Sequence, residues 1–346
     1  MRTPGNPIRL LIVDDSPLAR DLLRCMLSTD PEIHVVGEAS NGREALLKIA
    51  ELKPDIVTMD IEMPVMGGIE AIESIMALHP VPILVVTSLG DAATAYAAIS
   101  RGALEVVEKP DIGQANATDL VKKVRLISSV RVAKRSFRAI SPQNASGKVP
   151  GIQQKKGSGK IVAIVASTGG PQAIHAILSQ LPHDFKAPIV VTQHIAAGFA
   201  LGMAEWLNVI TPLTVDVAKN GEILSVGRVY INPSDFSMRV TKQSQITFSE
   251  NENHDIYHPS CNALLCSIAD AYGERGIGVI LSGMGDDGVK GISAIKAAGG
   301  TTLAQDEKSS LIYGMNRLAV EQGDVDRVVS LSEIPGELVR LTGGKN

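Results

Sequence analysis

The sequence predicts an α/β protein built from two doubly wound, parallel-sheet domains. Short apolar runs alternate with helical patterns over residues 8–130, and the same style returns from residue 160 onward. The runs are continuously apolar rather than alternating, which indicates strands buried on both faces of a parallel sheet. A length of 346 residues suits two domains, and a hydrophobic content of 45% lets each of them bury a core.

Five β–α units fill the first half of the chain. The predicted strands cover 8–13, 34–39, 55–59, 82–87 and 104–107. A predicted helix follows each strand, at 17–27, 42–52, 68–78, 92–100 and 118–130. Helical crossovers of this kind are what parallel neighbouring strands require, so we expect one sheet covered on both faces.

The second half repeats the α/β pattern without repeating the sequence. Its predicted strands cover 161–166, 188–192, 228–231, 277–281, 301–304 and 327–329. Its predicted helices cover 171–181, 200–209, 259–272, 289–298 and 311–322. The strands are again short and apolar, so we expect a second doubly wound sheet.

A polar segment separates the two halves. The apolar periodicity is lost over residues 136–159, which are rich in Ser, Gly, Pro, Gln and Lys. Eight Lys or Arg and no Asp or Glu lie between residues 131 and 160. This composition predicts a flexible basic linker, placed at 126–158, and polyanion binding by the segment alone is the alternative interpretation.

Composition argues against several classes of protein. The net charge is −4 and aromatic residues make up 3%, whereas nucleic-acid surfaces neutralise phosphates and stack on bases. No apolar run approaches the roughly 18 residues of a membrane helix, and residues 1–7 lack the apolar core of a signal peptide. Three cysteines without a CxxC pair fit a reducing compartment. We therefore expect a cytoplasmic protein that binds no nucleic acid.

Acidic residues follow two predicted strands of the first half. Asp14 and Asp15 come directly after the first strand, and Asp60 follows the third. The carboxyl ends of parallel strands share one sheet edge, so a divalent cation such as Mg²⁺ would offset the charge of these carboxylates. Thr87 and Lys109 end the fourth and fifth strands at the same edge. The set suggests phosphoryl transfer to a carboxylate, and solvated helix caps are the alternative for Asp14 and Asp15 alone.

Short motifs surround these residues: Asp-Asp-Ser at 14–16, Met-Asp-Ile-Glu-Met-Pro at 59–64, Gly-Gly at 67–68, Thr-Ser at 87–88 and Lys-Pro at 109–110. Over residues 8–125 they resemble the receiver domain of bacterial response regulators. The resemblance implies a flavodoxin-like fold in which Asp60 accepts phosphate from a histidine kinase. It also implies that Thr87 and Lys109 support that reaction.

The same resemblance implies a magnesium site. Its ligands would be Asp14, Asp15, Asp60 and the backbone carbonyl of Glu62. One departure concerns Val106, which stands where many receivers have Phe or Tyr. An aromatic rotamer switch is therefore not implied for this chain, whereas phosphorylation is.

A hydroxyl-containing turn opens the second half. Ser-Thr-Gly-Gly-Pro at 167–171 lies between a predicted strand and a predicted helix, and its glycines let backbone amides approach a ligand. Either a phosphate binds at the helix N-terminus, or Ser167 is a nucleophile whose oxyanion the amides stabilise. Neither the P-loop pattern nor G-x-S-x-G is present, so the residues alone leave both chemistries open.

Two further polar residues are predicted at the same edge. His194 closes the strand at 188–192, and Asp287 lies in the glycine-rich turn 283–288 after the strand at 277–281. Each has an ordinary structural explanation, as a core histidine or a helix cap. A hydroxyl, an imidazole and a carboxylate at one edge are also what a Ser-His-Asp relay needs for attack, proton transfer and orientation.

The motifs of this half are Ala-Ser-Thr-Gly-Gly-Pro at 166–171, Gln-His at 193–194, Ile-Leu-Ser-Gly-Met-Gly-Asp-Asp-Gly at 280–288 and Ala-Gln-Asp-Glu at 304–307. Over residues 159–342 they resemble the catalytic domain of chemotaxis protein-glutamate methylesterases. The resemblance implies a Rossmann-like α/β domain. A receiver followed by this domain is the architecture of that family.

The resemblance implies a phosphorylation-regulated hydrolase. Such enzymes demethylate glutamyl methyl esters, and deamidate certain glutamines, on the cytoplasmic helices of methyl-accepting chemoreceptors. Ser167 would be the nucleophile, His194 the general base and Asp287 its orienting carboxylate, with the backbone amides of Thr168 and Met284 as oxyanion donors. The implied partners are the receptors and a chemotaxis histidine kinase, and the ester chemistry needs no cofactor.

Three positions depart from the family pattern. Cys261 and Asn262 stand where Val and Asp are common, and Ser282 replaces the usual Thr. These departures bear on substrate choice more than on the reaction. Two alternatives stay open: a non-enzymatic signalling adaptor, and a methylesterase-like domain that acts on a protein of another signalling system.

Overall fold

Two compact units make up the chain, Met1–Asn144 and Ala145–Asn346. In a computed structural model, the described residues are 7–88, 92–110, 117–132, 157, 159–249 and 259–343. Most of the predicted linker, residues 133–156, lies outside them. Within these ranges no helix has the length and apolar character needed to cross a membrane.

The described residues of the first unit form five strands and five helices. The strands are β1 (Ile8–Val13), β2 (Ile33–Ala39), β3 (Ile56–Met59), β4 (Ile83–Thr87) and β5 (Glu105–Glu108). The helices are α1 (Pro17–Leu27), α2 (Gly42–Leu52), α3 (Gly68–Leu78), α4 (Ala92–Ser100) and α5 (Ala117–Ser128). All strands are parallel, in the order β2-β1-β3-β4-β5. The predicted doubly wound sheet is confirmed, and this is the flavodoxin-like order.

Short loops hold the acidic residues of this unit at the carboxyl edge. Helix α1 begins soon after β1 because Ser16 accepts a hydrogen bond from the amide of Ala19, and Pro17 occupies the first turn. Strands β1 and β3 are neighbours, with Val13 opposite Met59. The residues that follow each strand, Asp14 and Asp60, therefore emerge side by side.

The last helix of the unit extends into the segment that the sequence assigned to the linker. Helix α5 continues to Ser128, and Ile127 within it is fully buried. Residues 126–128 are thus held by an apolar contact of the helix, and α5 ends at Ser128.

The second unit contains nine strands and six α-helices among the described residues. The strands are β6 (Ile161–Ala166), β7 (Ile189–Gln193), β8 (Thr214–Val217), β9 (Arg228–Ile231), β10 (Ser237–Val240), β11 (Ile246–Ser249), β12 (Gly276–Ile280), β13 (Thr301–Gln305) and β14 (Arg327–Val329). The helices are α6 (Gly170–Leu178), α7 (Phe199–Ile210), α8 (Cys261–Tyr272), α9 (Val289–Ala297), α10 (Met315–Gln322) and α11 (Ile334–Leu341).

Seven of these strands form one parallel sheet in the order β14-β13-β12-β6-β7-β9-β8. The chain leaves β6 toward β7 on one side and later returns to β12 on the other side. Ligands of open α/β sheets bind at such a switch point, beyond the carboxyl ends of the strands. The polar turns after β6, β7 and β12 all lie there.

Four elements were missed in the sequence: β8, the antiparallel hairpin of β10 and β11, and α11. The strands have four residues each and mix polar with apolar side chains, so they lack the continuous apolar run by which the other strands were recognised. Helix α11 buries Ile334 and Leu338 on one face, but with eight residues its helical periodicity is too short to recognise in the sequence.

Helix α8 lies close to helix α9 and over the turn that precedes it. A Cβ at Gly291 of α9 would overlap the Leu265 side chain of α8, so glycine permits the close approach. Ser260 caps α8 by accepting a hydrogen bond from the amide of Ala263. The first residues of α8 are thereby held beside Asp287.

Candidate active site and phosphoacceptor site

A cluster of three carboxylates lies at the carboxyl edge of the first sheet. Asp14, Asp15 and Asp60 each offer an oxygen within 4.8 Å of the others. Asp14 and Asp60 are buried, at 1% and 4% exposure, whereas Asp15 is exposed. The structure thus brings together the three carboxylates that the sequence placed at one edge.

Lys109 lies against the two buried carboxylates. Its Nζ is 2.8 Å from Oδ2 of Asp14 and 2.8 Å from Oδ2 of Asp60. Burial raises the pKa of Asp60, and the neighbouring Asp14 raises it further, against the opposing effect of Lys109. Burial alone would lower the pKa of Lys109, but its contacts with both carboxylates raise it. One ammonium therefore offsets only part of the charge of the cluster.

The residues fit a hard divalent cation. Three carboxylates and one ammonium leave a negative excess, and oxygen donors are the ligands that Mg²⁺ prefers. The Thr87 hydroxyl is buried at the end of β4 without a hydrogen-bond partner among the described residues, which leaves it available to an incoming oxyanion. Glu62 lies in the turn after Asp60, with an exposed side chain.

Ser167 lies in the tight turn between β6 and α6. Its amide donates to the carbonyl of Ser282 at 3.0 Å, and its carbonyl accepts from the amide of Gly170 at 2.8 Å. The Gly170 amide is thereby occupied, which disfavours the phosphate-binding interpretation of this turn. Gly169 has a φ of 80°, a conformation that favours glycine. The turn therefore projects a half-buried Ser167 at the sheet edge.

The turn after β12 lies beside the turn of Ser167. The Ser282 hydroxyl donates to the carbonyl of Thr168 at 2.8 Å, so this side chain joins the two turns. Within the described residues, the amides of Thr168 and Met284 donate no hydrogen bond. Two free amides on adjacent turns are the donors that an oxyanion would need.

Gly283 leaves no room for a side chain between these turns. A Cβ there would overlap Met315 Sδ and lie 2.7 Å from Ser167 Cβ. We expect Gly283→Ala to destabilise the fold by about 1–3 kcal/mol through overpacking. Gly336→Ala is the matched control, because that Cβ meets nothing within 4 Å and alanine favours the helix. Denaturant unfolding measures both, and equal stability of the two variants would contradict the close contact.

His194 and Asp287 form a hydrogen-bonded pair. Nε2 of His194 lies 2.8 Å from Oδ2 of Asp287. The amide of His194 donates to the carbonyl of Ala166 at 3.1 Å, which holds the histidine next to the turn of Ser167. Asp286, the neighbouring carboxylate, is exposed to solvent. Of the two aspartates, the structure places Asp287 against the imidazole.

The N-terminus of α8 solvates the Asp287 carboxylate. The amides of Cys261 and Asn262 donate to it at 2.7 and 2.9 Å, and the Ser260 hydroxyl lies 3.3 Å away. Burial opposes ionisation of Asp287, but the hydrogen bond and charge of His194, together with these amides, lower its pKa below the ordinary value. Asp287 is therefore held as a carboxylate.

The first two residues of α8, Cys261 and Asn262, both contact this carboxylate. The Asn262 Oδ1 accepts from the amides of Gly288 at 3.0 Å and Gly291 at 2.8 Å, so it binds the start of α9 without adding a charge. The Cys261 Sγ lies 3.4 Å from His194 Nε2. Both residues were predicted near the chemistry, and the structure places them in contact with the His194–Asp287 pair.

Gln193 was not predicted as a site residue. Its Nε2 donates to the carbonyl of Ser167 at 2.8 Å and to that of His194 at 2.9 Å. A Cβ at Gly170 would overlap the Gln193 Oε1, so the start of α6 packs directly against this side chain. In the sequence, Gln193 appears as the amide that ends an apolar strand and as part of the Gln-His motif at 193–194.

Both units match known families. Residues 162–338 match the CheB methylesterase family, and residues 10–125 match the response regulator receiver domain family. The catalytic domain of Thermotoga maritima CheB methylesterase is similar in structure, with a TM-score of 0.51 and 38% identity. That match covers 53% of this chain and 98% of the Thermotoga chain.

Similar proteins span nearly the whole chain. "Protein-glutamate methylesterase/protein-glutamine glutaminase 3" of Paramagnetospirillum magneticum is 48% identical, over 97% of this chain and 96% of the relative. "Protein-glutamate methylesterase/protein-glutamine glutaminase 2" of Anaeromyxobacter dehalogenans is 42% identical, over 97% of each chain. With both domains matched in this order, the chain belongs to the family of receiver-linked protein-glutamate methylesterases/protein-glutamine glutaminases.

Proposed function

We propose that the second unit hydrolyses glutamyl esters through an acyl-enzyme on Ser167. The hydroxyl attacks the ester carbonyl, and the tetrahedral oxyanion accepts hydrogen bonds from the amides of Thr168 and Met284. Collapse of this intermediate expels methanol and leaves the glutamyl group esterified to Ser167. Water then hydrolyses that ester and regenerates the serine.

His194 moves the proton in both half-reactions. Its Nε2 faces Asp287, so Nδ1 is the nitrogen that takes the Ser167 proton and returns it to the leaving methoxide. Asp287 holds the ring in this tautomer and stabilises the imidazolium. The observation that carries the proposal is this hydrogen-bonded pair at the edge where the Ser167 turn also ends.

The substrate class follows from the family. We propose methylated glutamates on the cytoplasmic helices of methyl-accepting chemoreceptors, and certain glutamines that the same residues deamidate. In the deamidation, ammonia leaves in place of methanol, and His194 protonates the leaving nitrogen. The enzyme would then act in the cytoplasm, as a step of chemotactic adaptation.

The first unit would regulate this activity through phosphorylation of Asp60 by a chemotaxis histidine kinase. Asp14, Asp15, Asp60 and the Glu62 carbonyl would hold Mg²⁺, which supplies charge neutralisation when it is bound. Lys109 holds Asp60 in place, and the Thr87 hydroxyl is available to a phosphoryl oxygen. Phosphorylation then shifts the population toward a more active state.

Asp60→Asn tests the phosphoacceptor. The amide is a poor nucleophile, so we expect no phosphate incorporation from acetyl phosphate with Mg²⁺, measured by intact-mass spectrometry. Methanol release by the variant should not respond to the phosphodonor. Asp21→Asn, on the exposed face of α1, is the matched control and should become phosphorylated. Incorporation into Asp60→Asn at the wild-type level would assign the phosphate elsewhere.

Methanol release from methyl-labelled receptor membranes tests the proposed function directly. The full chain should release methanol, and more of it after addition of acetyl phosphate with Mg²⁺. Absence of release under both conditions would favour a non-enzymatic adaptor or a substrate from another signalling system. Binding of the protein to the same membranes, measured by co-sedimentation, separates these two outcomes.

A further inference from the structure

Cys261 brings a thiol into the pocket of the His194–Asp287 pair. Its Sγ lies 3.4 Å from His194 Nε2, which is itself 2.8 Å from Asp287 Oδ2. The ligand atoms of the three residues all lie within 4.8 Å of one another. Cys261 and Asp287 are buried, whereas the His194 side chain is 13% exposed. Solvent therefore reaches the cluster from the side of the imidazole.

The donor set of this cluster differs in kind from that of the receiver cluster. Asp14, Asp15 and Asp60 offer only hard oxygen ligands. Cys261, His194 and Asp287 offer one sulfur, one nitrogen and one oxygen, and zinc binds such mixed sets in tetrahedral sites. Three protein ligands leave the fourth position to water. We propose that Cys261, His194 and Asp287 form an inhibitory site for zinc.

Metal binding at this site removes the base that the ester reaction needs. The Cys261 thiol loses its proton to solvent and becomes a thiolate ligand, while Nε2 of His194 gives its lone pair to the metal. The single proton of the neutral imidazole then lies on Nδ1, which cannot accept the proton of Ser167. This inhibition rests on the proposed function, whereas the binding itself does not.

The dense hydrogen bonding around Asp287 explains why the site would be selective for a soft metal. Two amides of α8 already occupy the carboxylate, so little of its coordination capacity remains for a hard cation. The thiolate therefore supplies the dominant bond, and a cation without affinity for sulfur gains little. We expect zinc to inhibit and magnesium not to inhibit.

Cobalt is the spectroscopic probe for the site. The full chain, with excess Mg²⁺ to occupy the receiver cluster, is titrated with Co²⁺ while absorption is recorded. Coordination by Cys261 should produce a thiolate-to-cobalt charge-transfer band and the intense visible bands of tetrahedral cobalt. Cys25→Ser and Cys266→Ser are matched controls and should keep both features, because these thiols lie outside the cluster.

Cys261→Val should lose the charge-transfer band, because valine has no ligand atom. Cys261→Ser is the second variant, which keeps a polar side chain, and thermal unfolding shows whether either variant is folded. In methanol-release assays normalised to each protein's own activity, the zinc concentration for half-inhibition should rise at least about tenfold in these variants. EDTA should restore the inhibited wild type.

Three results would overturn the site: no thiolate band in the wild type at saturating Co²⁺, a band that survives in folded Cys261→Val, or a band lost in Cys266→Ser. Zinc inhibition of equal strength in wild type and Cys261→Val would overturn the inhibitory role. A Cys261-dependent band in a protein that releases no methanol would support the metal site and contradict the proposed ester hydrolysis.

Discussion

Ser167→Ala is expected to lower kcat for methanol release by about 10⁴-fold or more. The variant removes the only atom proposed to bond with the acyl group, while the amides of Thr168 and Met284 still bind the carbonyl. Residual turnover would therefore come from substrate binding and oxyanion stabilisation alone. KM should change little, because the hydroxyl contributes little to substrate binding.

Ser179→Ala is the matched control for this loss. Ser179 caps the other end of the same helix, α6, and within the described residues its hydroxyl hydrogen-bonds only the Ala176 carbonyl, at 3.5 Å. It should retain wild-type turnover. Both variants should also keep the wild-type thermal unfolding transition, which reports that the second unit, where both serines lie, is folded. Turnover within tenfold of wild type in Ser167→Ala would remove this serine as the nucleophile.

Asp287→Asn is expected to lower kcat by about 10⁴-fold through the wrong imidazole tautomer. The pocket offers N–H donors from Cys261 and Asn262, so the side-chain oxygen of the new residue turns toward an amide and its NH₂ group turns toward His194. Nε2 of His194 must then accept a hydrogen bond, and the ring proton moves to Nδ1. A protonated Nδ1 cannot take the proton of Ser167.

The same substitution should destabilise the second unit by about 1–3 kcal/mol, because one buried amide loses its acceptor. The sign of the pH dependence follows from the lowered pKa of Asp287. A carboxylate with a lowered pKa stabilises the fold above the ordinary value of 3.8, and this contribution is lost as the pH falls through the lower folded-state value. Asp287→Asn should therefore lose less stability than wild type on acidification.

Asp286→Asn is the control, since that neighbouring carboxylate is exposed. It should keep kcat within a fewfold of wild type and keep the wild-type stability at neutral pH. Urea unfolding at neutral and acidic pH measures stability, and methanol release measures kcat. Equal activity of the two variants would show that Asp287 does not orient the histidine.

Most of the fold could be predicted because its elements are encoded locally. Continuous apolar runs bounded by Gly, Pro and Asp identified the strands of both parallel sheets, and the periodic segments between them identified the helices. The hairpin of β10 and β11 failed this test because its four-residue strands carry polar side chains on a partly exposed surface. The common position of the site residues could be predicted as well, because a parallel sheet directs the carboxyl end of every strand to one edge.

The family resemblance and the positions of the site residues were also available from the sequence. Asp14, Asp60, Ser167, His194 and Asp287 each follow a predicted strand directly or within a short turn. Their meeting at an edge needs only that the strands are parallel and neighbouring. The motifs around them then implied a receiver and a methylesterase domain, and the family match confirmed both.

The two α/β domains, their order and the edge at which the polar residues meet follow from the sequence. Each depends on strands and helices that are recognisable from apolar patterns only a few residues long. Long-range packing, in contrast, sets β12 beside β6 and brings two amides of α8 to Asp287. The same packing brings Cys261 into contact with His194. These contacts join residues far apart in the chain, and they depend on how whole side chains pack, for which no local pattern exists.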